Sequence, residues 1–146
     1  MSHVKNLRLG YSKAMLSQPY RFHGHSSLSF VFRKGHSVRG SLMMVRTIRN
    51  DRQKNCRVAI IVSKKIAKRA HDRNLVRRRL YEVMRAALPN VTQPYDIAIM
   101  VTNKQAVAMP YAQLQQELLH LLGSAQIMRH VAEPDAAMHD GAKTLL

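Results

Sequence analysis

Residues 63–85 read SKKIAKRAHDRNLVRRRLYEVMR, and the spacing of their apolar residues decides how the chain folds. On a 100° wheel Val76, Leu80, Val83, Met84 and Ala87 gather on one side, while Arg73, Asn74, Arg77, Arg78 and Arg85 gather away from them. The stretch therefore predicts a helix beginning at Arg73 that buries one stripe and offers guanidinium groups on another. Asp72 is placed to cap it, with a carboxylate that the helix dipole also favours. The first seventeen residues hold eight cations (Lys64, Lys65, Lys68, Arg69, Arg73, Arg77, Arg78, Arg79) against one acid, Asp72. Solvated helix faces usually mix signs through i,i+4 pairs, and this one does not until Glu82. Charge of that density on a folded element is built to face a polyanion, and arginine's planar fork matches phosphate.

The whole chain carries the same imbalance. Lys and Arg number 24 against 8 Asp and Glu in 146 residues, a formal net charge of +16, with a pI near 11.0. Nucleic acid is the partner this implies. A membrane is disfavoured because no segment approaches the roughly 18 to 20 consecutive apolar residues of a spanning helix. Lys5, Arg8 and Lys13 interrupt any secretory core, so a cytoplasmic location is expected. Cys56 is the single cysteine, which excludes an internal disulfide and a cysteine-based zinc cluster. With 46% hydrophobic residues, the chain can bury one core and hardly two.

Residues 1–20 are basic and weakly patterned and read as a flexible arm. In SSLSFVFRKG, Ser26 or Ser27 can cap a short helix with Leu28, Val31 and Phe32 on one side, and Gly35 supplies a left-handed stop. Ser41–Ile48 and Arg57–Val62 are apolar runs joined by the polar RNDRQKN, which predicts an antiparallel hairpin. Tyr95–Thr102 reads as a buried strand. Pro110 suits the first turn of a last helix carrying Leu114, Leu118, Leu121, Leu122 and Ala125. After Gln126 the period fades, so residues 126–146 read as a disordered tail. The pattern predicts one α+β domain over 21–125, with helices packed on a mixed sheet.

Groups suited to catalytic chemistry are few. The folded part has no close carboxylate pair to hold two magnesium ions or to divide acid and base roles. His23, His25 and His36 lack a neighbouring carboxylate or cysteine, and Cys56 has no feature of a tuned thiolate beyond the general positive charge. No catalytic residue and no protein-bound metal is expected. Asn74, set among cations, can donate and accept at once, which suits a base edge or a 2′-hydroxyl.

With these residues in view, the chain resembles the protein subunit of bacterial ribonuclease P. That family carries a basic signature, K-x-x-x-x-A-x-x-R-N-R-x-K-R, into which Lys65, Ala70, Arg73, Asn74, Arg77 and Arg78 fall. Phe32, Gly35, Ser37 and Val38 match its first helix and following turn. RVAIIVSKK (57–65), YDIAIMV (95–101) and PYAQLQQELLHLL (110–122) match its strands and closing helix. Two features depart from the pattern: Leu75 stands where the signature's second arginine belongs, and Leu28, Met43 and Arg46 stand where aromatics are usual. Arg79 or Arg69 could take over the contact missing at Leu75.

The resemblance implies a two-layer α/β sandwich, with about four strands in a mixed, mostly antiparallel sheet and three helices. It also implies a left-handed βαβ crossover, like that of ribosomal protein S5 domain 2, opposite to the usual hand. It implies a non-catalytic subunit of an endoribonuclease that removes the 5′ leader from precursor tRNA, with catalysis by the RNA and Mg2+ bound mainly by that RNA. Lys64, Lys65, Lys68, Arg69, Arg73, Asn74, Arg77 and Arg78 would contact the catalytic RNA. Leu28, Phe32 and Met43 would floor a cleft for the leader. The partners implied are the catalytic RNA and the leader, with no membrane and no protein partner. A ribosomal protein or RNA chaperone of similar fold is the alternative, distinguishable by whether the chain stimulates 5′ cleavage.

Overall fold

Alternation along the strands sorts the side chains onto the two faces of a single sheet. The computed structural model describes residues 21, 25–92 and 94–129. In chain order these give α1 (His25–Lys34), β1 (His36–Arg39), β2 (Met43–Arg49), β3 (Arg57–Ile61), α2 (Ala70–Ala87), β4 (Tyr95–Val101) and α3 (Tyr111–Ser124), with short 3-10 turns at Leu88–Asn90 and Lys104–Val107. The sheet order is β1-β2-β4-β3, in which β1/β2 and β2/β4 are antiparallel and β3/β4 parallel. This is the expected α+β architecture of four strands and three helices.

The main core fills one face. Met43, Val45, Val58, Ile60, Ile97, Ile99 and Val101 point from the sheet toward Val76, Leu80, Val83 and Met84 of α2 and toward Leu114, Leu118, Leu121 and Leu122 of α3. The stripes foreseen on both helices are thus the buried ones. Tyr81 is buried with them beside the backbone of Ile60, and burial raises its hydroxyl pKa. The other face is thinner. There Val31 of α1 packs on Ala59 and Ala98, flanked by Leu28, Phe32 and Ile48. Alanines let the helix approach the strands closely, where the bulkier valines and isoleucines of the opposite face would hold it off.

Several local expectations change. The hairpin between 41–48 and 57–62 does not form, because β4, almost wholly buried, lies between β2 and β3 and pairs with both. The hairpin is instead β1 with β2. Its first strand, HSVR, is mostly exposed and so carries no apolar signal. Glu117 of α3 secures the connection, accepting from Ser41 Oγ at 2.8 Å and from the Leu42 and Met43 amides at 2.6 and 3.2 Å. Gly35 is not in the left-handed region, nor is any glycine among the described residues. It is small for a different reason: a Cβ there would meet the Val31 carbonyl at 2.5 Å and the Thr47 carbonyl at 3.1 Å.

Helix ends shift as well. α1 begins at His25, ahead of the serines proposed as its cap. Pro110 is the N-cap of α3, with extended ψ of 150°, and not part of its first turn. At the other end the fold continues past residue 126: Ile127 is buried and Met128 bridges Val91. Apolar side chains that lack a period still find a groove beside the turn after α2. The expected arm, 1–20, and the tail from residue 130 onward lie outside the described residues.

Candidate nucleic-acid interface

β3 delivers the chain into the basic stretch. Beyond buried Val62, the Ser63 carbonyl accepts from the Ile66 and Ala67 amides at 3.0 and 3.1 Å, closing a turn. Ala67 is buried and Ile66 packs on the main core, which pins the turn and leaves Lys64, Lys65 and Lys68 exposed. The lysines therefore project from a fixed backbone.

α2 starts three residues earlier than the sequence period indicates, at Ala70, with extended Arg69 as N-cap and no side-chain capping bond. Asp72 lies in the first turn and not at the cap. Its oxygens accept from Arg69 Nε at 3.0 Å and Nη2 at 3.1 Å. That hydrogen-bonded pair holds the Asp72 carboxyl below its usual range and raises the Arg69 guanidinium. The carboxylate still suits the positive end of the helix dipole.

Arg73 is half-buried, where the sequence period places it on the open face. Its Nη1 donates to the Ala67 carbonyl at 2.9 Å and the Lys68 carbonyl at 2.8 Å, strapping the lysine loop to the helix. Arg77 donates to Asn74 Oδ1, and Asn74 is exposed. Arg73 and Arg77 thus bond neutral oxygens and keep their charge uncompensated by these contacts. Arg78 is half-buried on the same helix. Neither residue suggested as a substitute at Leu75 is at liberty, since Arg69 holds Asp72 and Arg79 Nη1 donates to the Met109 carbonyl at 3.0 Å. The eight predicted contact residues thus lie on one loop and one helix, where Arg73 bonds backbone carbonyls, Arg77 bonds Asn74 and Arg69 is paired with Asp72.

The second candidate region is the sheet face beneath α1, and strand register defines it. Side chains of paired residues in neighbouring strands share a face. One row runs Ser37, Arg46, Ala98, Ala59, and the next runs Arg39, Met44, Met100, Ile61. Val31 of α1 covers the first row at the alanines, while the second row lies to one side of that contact. Phe32 and Leu28 flank Val31 on the helix side of this face, both half-buried. Met43 does not belong here. It is fully buried on the opposite face, against α2 and α3, because its strand position has the parity of Val45 and not of Met44. Met44, Arg46 and Met100 lie on the α1 face instead, Met44 buried and the other two half-buried. The alternation of MMVRTIR carried that signal, but the choice of face needs the packed helices.

Arg46 dominates this floor. Its guanidinium carbon lies 5.7 Å from the centre of the Phe32 ring, and its Nη1 donates to the Phe32 carbonyl at 2.6 Å. The Nε–H is buried, with no acceptor among the described residues. Asp96, the buried acid of this face, is already committed, accepting from Arg57 at 2.8 and 2.9 Å and from Asn50 at 2.8 Å.

Other candidates fall away. Cys56 is half-buried, its Sγ accepting from the Tyr95 amide at 3.5 Å, and burial raises the thiol pKa. His36 is exposed, while His23 and the His25 side chain lie outside the described residues. Among the described residues no group of three His, Cys, Asp or Glu side chains could hold a metal ion, and no helix is long and apolar enough to cross a membrane.

The chain matches the family model for ribonuclease P over residues 16–126. It is 30% identical over 129 residues to a ribonuclease P protein component from Cyanothece sp., covering 78% of this chain and 98% of that one. Another ribonuclease P protein component, from Leuconostoc citreum, is 30% identical over 115 residues, covering 78% and 97%. Among solved structures, the Staphylococcus aureus ribonuclease P protein superposes with a TM-score of 0.69 at 28% identity, covering 75% of this chain and 98% of that one.

Proposed function

The chain belongs to the ribonuclease P protein family, and from that premise we propose that it is the protein subunit of ribonuclease P, binding the catalytic RNA and the 5′ leader of precursor tRNA. The observation that carries this reading is the cationic loop and helix start, Lys64 to Arg78, held on a rigid backbone by Arg73 and by buried Ala67. Lys64, Lys65, Lys68, Arg73, Asn74, Arg77 and Arg78 would grip the phosphates and riboses of the RNA subunit, with Arg69 alongside in exchange with Asp72. A preformed surface of this kind loses little conformational entropy on docking.

In this reading the protein positions the substrate and makes no bond itself. Mg2+ bound mainly by the RNA would supply the activated water. Asp51, Asp72, Asp96 and Glu117 already take Arg49, Arg69, Arg57 and the β1–β2 backbone as partners, which supports that division. The cleft between α1 and the sheet would receive the leader, walled by Phe32 and Leu28. Because single-stranded leader and the RNA subunit both repel one another through phosphate, cations on two sides of the protein lower the cost of bringing them together. The compartment of action is the bacterial cytoplasm, where tRNA precursors are made.

The test is reconstitution. The chain added to the catalytic RNA at low Mg2+ should stimulate 5′ cleavage of precursor tRNA. No stimulation would favour a ribosomal or chaperone role, and site-specific cleavage by RNA-free protein with Mg2+ would overturn the non-catalytic assignment.

A further inference from the structure

Resting on that reading, we propose that this cleft holds the leader by its phosphates, through Arg46 and Arg39, and not by stacking its bases. Among the described residues the floor contains no aromatic side chain. Its rows are Ser37, Arg46, Ala98, Ala59 and Arg39, Met44, Met100, Ile61. Phe32 on the helix wall already carries the Arg46 guanidinium over its ring, so that ring face is not available to a base. The cleft thus offers cations where a stacking platform would offer rings.

The two arginines suit a nucleic-acid backbone. Arg39 stands opposite Met44, and Arg46 is two residues further along the same strand, so the pair is diagonal on one face, with positions about 7–8 Å apart. Arg39 is exposed, its nearest polar contact being Nη2 to the Met44 sulfur at 3.8 Å. Arg46 is half-buried, with its Nε enclosed and its Nη1 given to the Phe32 carbonyl, so Nη2 is the part of its guanidinium left for an anion. Asp96, on the same face, is engaged by Arg57 and Asn50 and does not neutralise either arginine. Incoming anionic oxygens would bond the fork of Arg39 and the Nη2 of Arg46, charge-assisted contacts that suit phosphate. Contact through phosphate is blind to base identity.

The experiment uses the reconstituted holoenzyme and measures affinity for precursor tRNA relative to leaderless tRNA, so the readout is the leader's own contribution. Neutral methylphosphonate linkages in the leader should reduce that contribution, and abasic leader nucleotides should leave it in place. Arg39→Ala and Arg46→Ala should each reduce it, lowering the salt slope of the leader-dependent affinity by about 1 per arginine, and Arg46→Lys should restore part of the loss. Arg39→Ala guards against misfolding, because Arg39 makes no backbone bond of the kind Arg46 makes to Phe32. Loss on abasic substitution with tolerance of methylphosphonates, or leader affinity unchanged in both alanine variants, overturns the proposal. A wild-type holoenzyme that shows no stimulation by the chain fails the functional reading itself, which is a different result.

Discussion

Arg73 and Arg77 sit one helical turn apart in the same basic signature and do different work. Arg73 gives its Nη1 hydrogens to the carbonyls of Ala67 and Lys68, whereas Arg77 bonds the Asn74 side chain. Arg73→Ala should therefore cost about 1–2 kcal/mol of stability in urea denaturation as well as RNA affinity. Arg77→Ala should stay within about 0.5 kcal/mol of wild type while weakening RNA binding. The distinction was not legible in the sequence, where both lie on the same side of the wheel. Asp72 offers a second check. Its pKa is lowered from 3.8, first through the hydrogen bond from Arg69. A depressed carboxylate stabilises the fold above its unfolded pKa and loses that contribution as pH falls through the folded value. An NMR titration should show the Asp72 midpoint below 3.8, returning toward it in Arg69→Ala.

The elements of the fold depend on which strand faces carry bulk. Apolar stripes announced α2 and α3, and the unbroken run of β4 announced a buried strand, so these three were readable from period alone. β1 was not, because its four residues are mostly exposed and gain their place only by pairing with β2. The face under α1 depends on Ala59 and Ala98, each almost fully buried against Val31. Ala98→Leu should force α1 away from the sheet, costing about 1–3 kcal/mol and distorting the cleft. A lowered urea midpoint together with reduced discrimination between precursor and leaderless tRNA would bear this out, and a silent substitution would mean that α1 is loosely seated. Met43 shows the same logic in reverse: a shift of one residue along β2 separates core from cleft.

Across the whole molecule, charge determines the partner and geometry determines how that partner is held. A surplus of sixteen positive charges predicts strongly salt-dependent binding. If about six cations of the loop and α2 each neutralise a phosphate, the slope of log K against log salt should be on the order of −4 to −5. A slope near zero would remove the electrostatic basis of the interface. The polyanion-binding character, the two amphipathic helices, the buried strand and the basic signature were all readable before any fold was known, because charge density and apolar period are local properties of the chain. Tertiary structure alone decided the strand order β1-β2-β4-β3, the strapping role of Arg73, the burial of Met43 and the meeting of Arg46 with Phe32. Each of those depends on which residues distant in sequence come to share a face, and that is settled by how the sheet's two sides compete for helices.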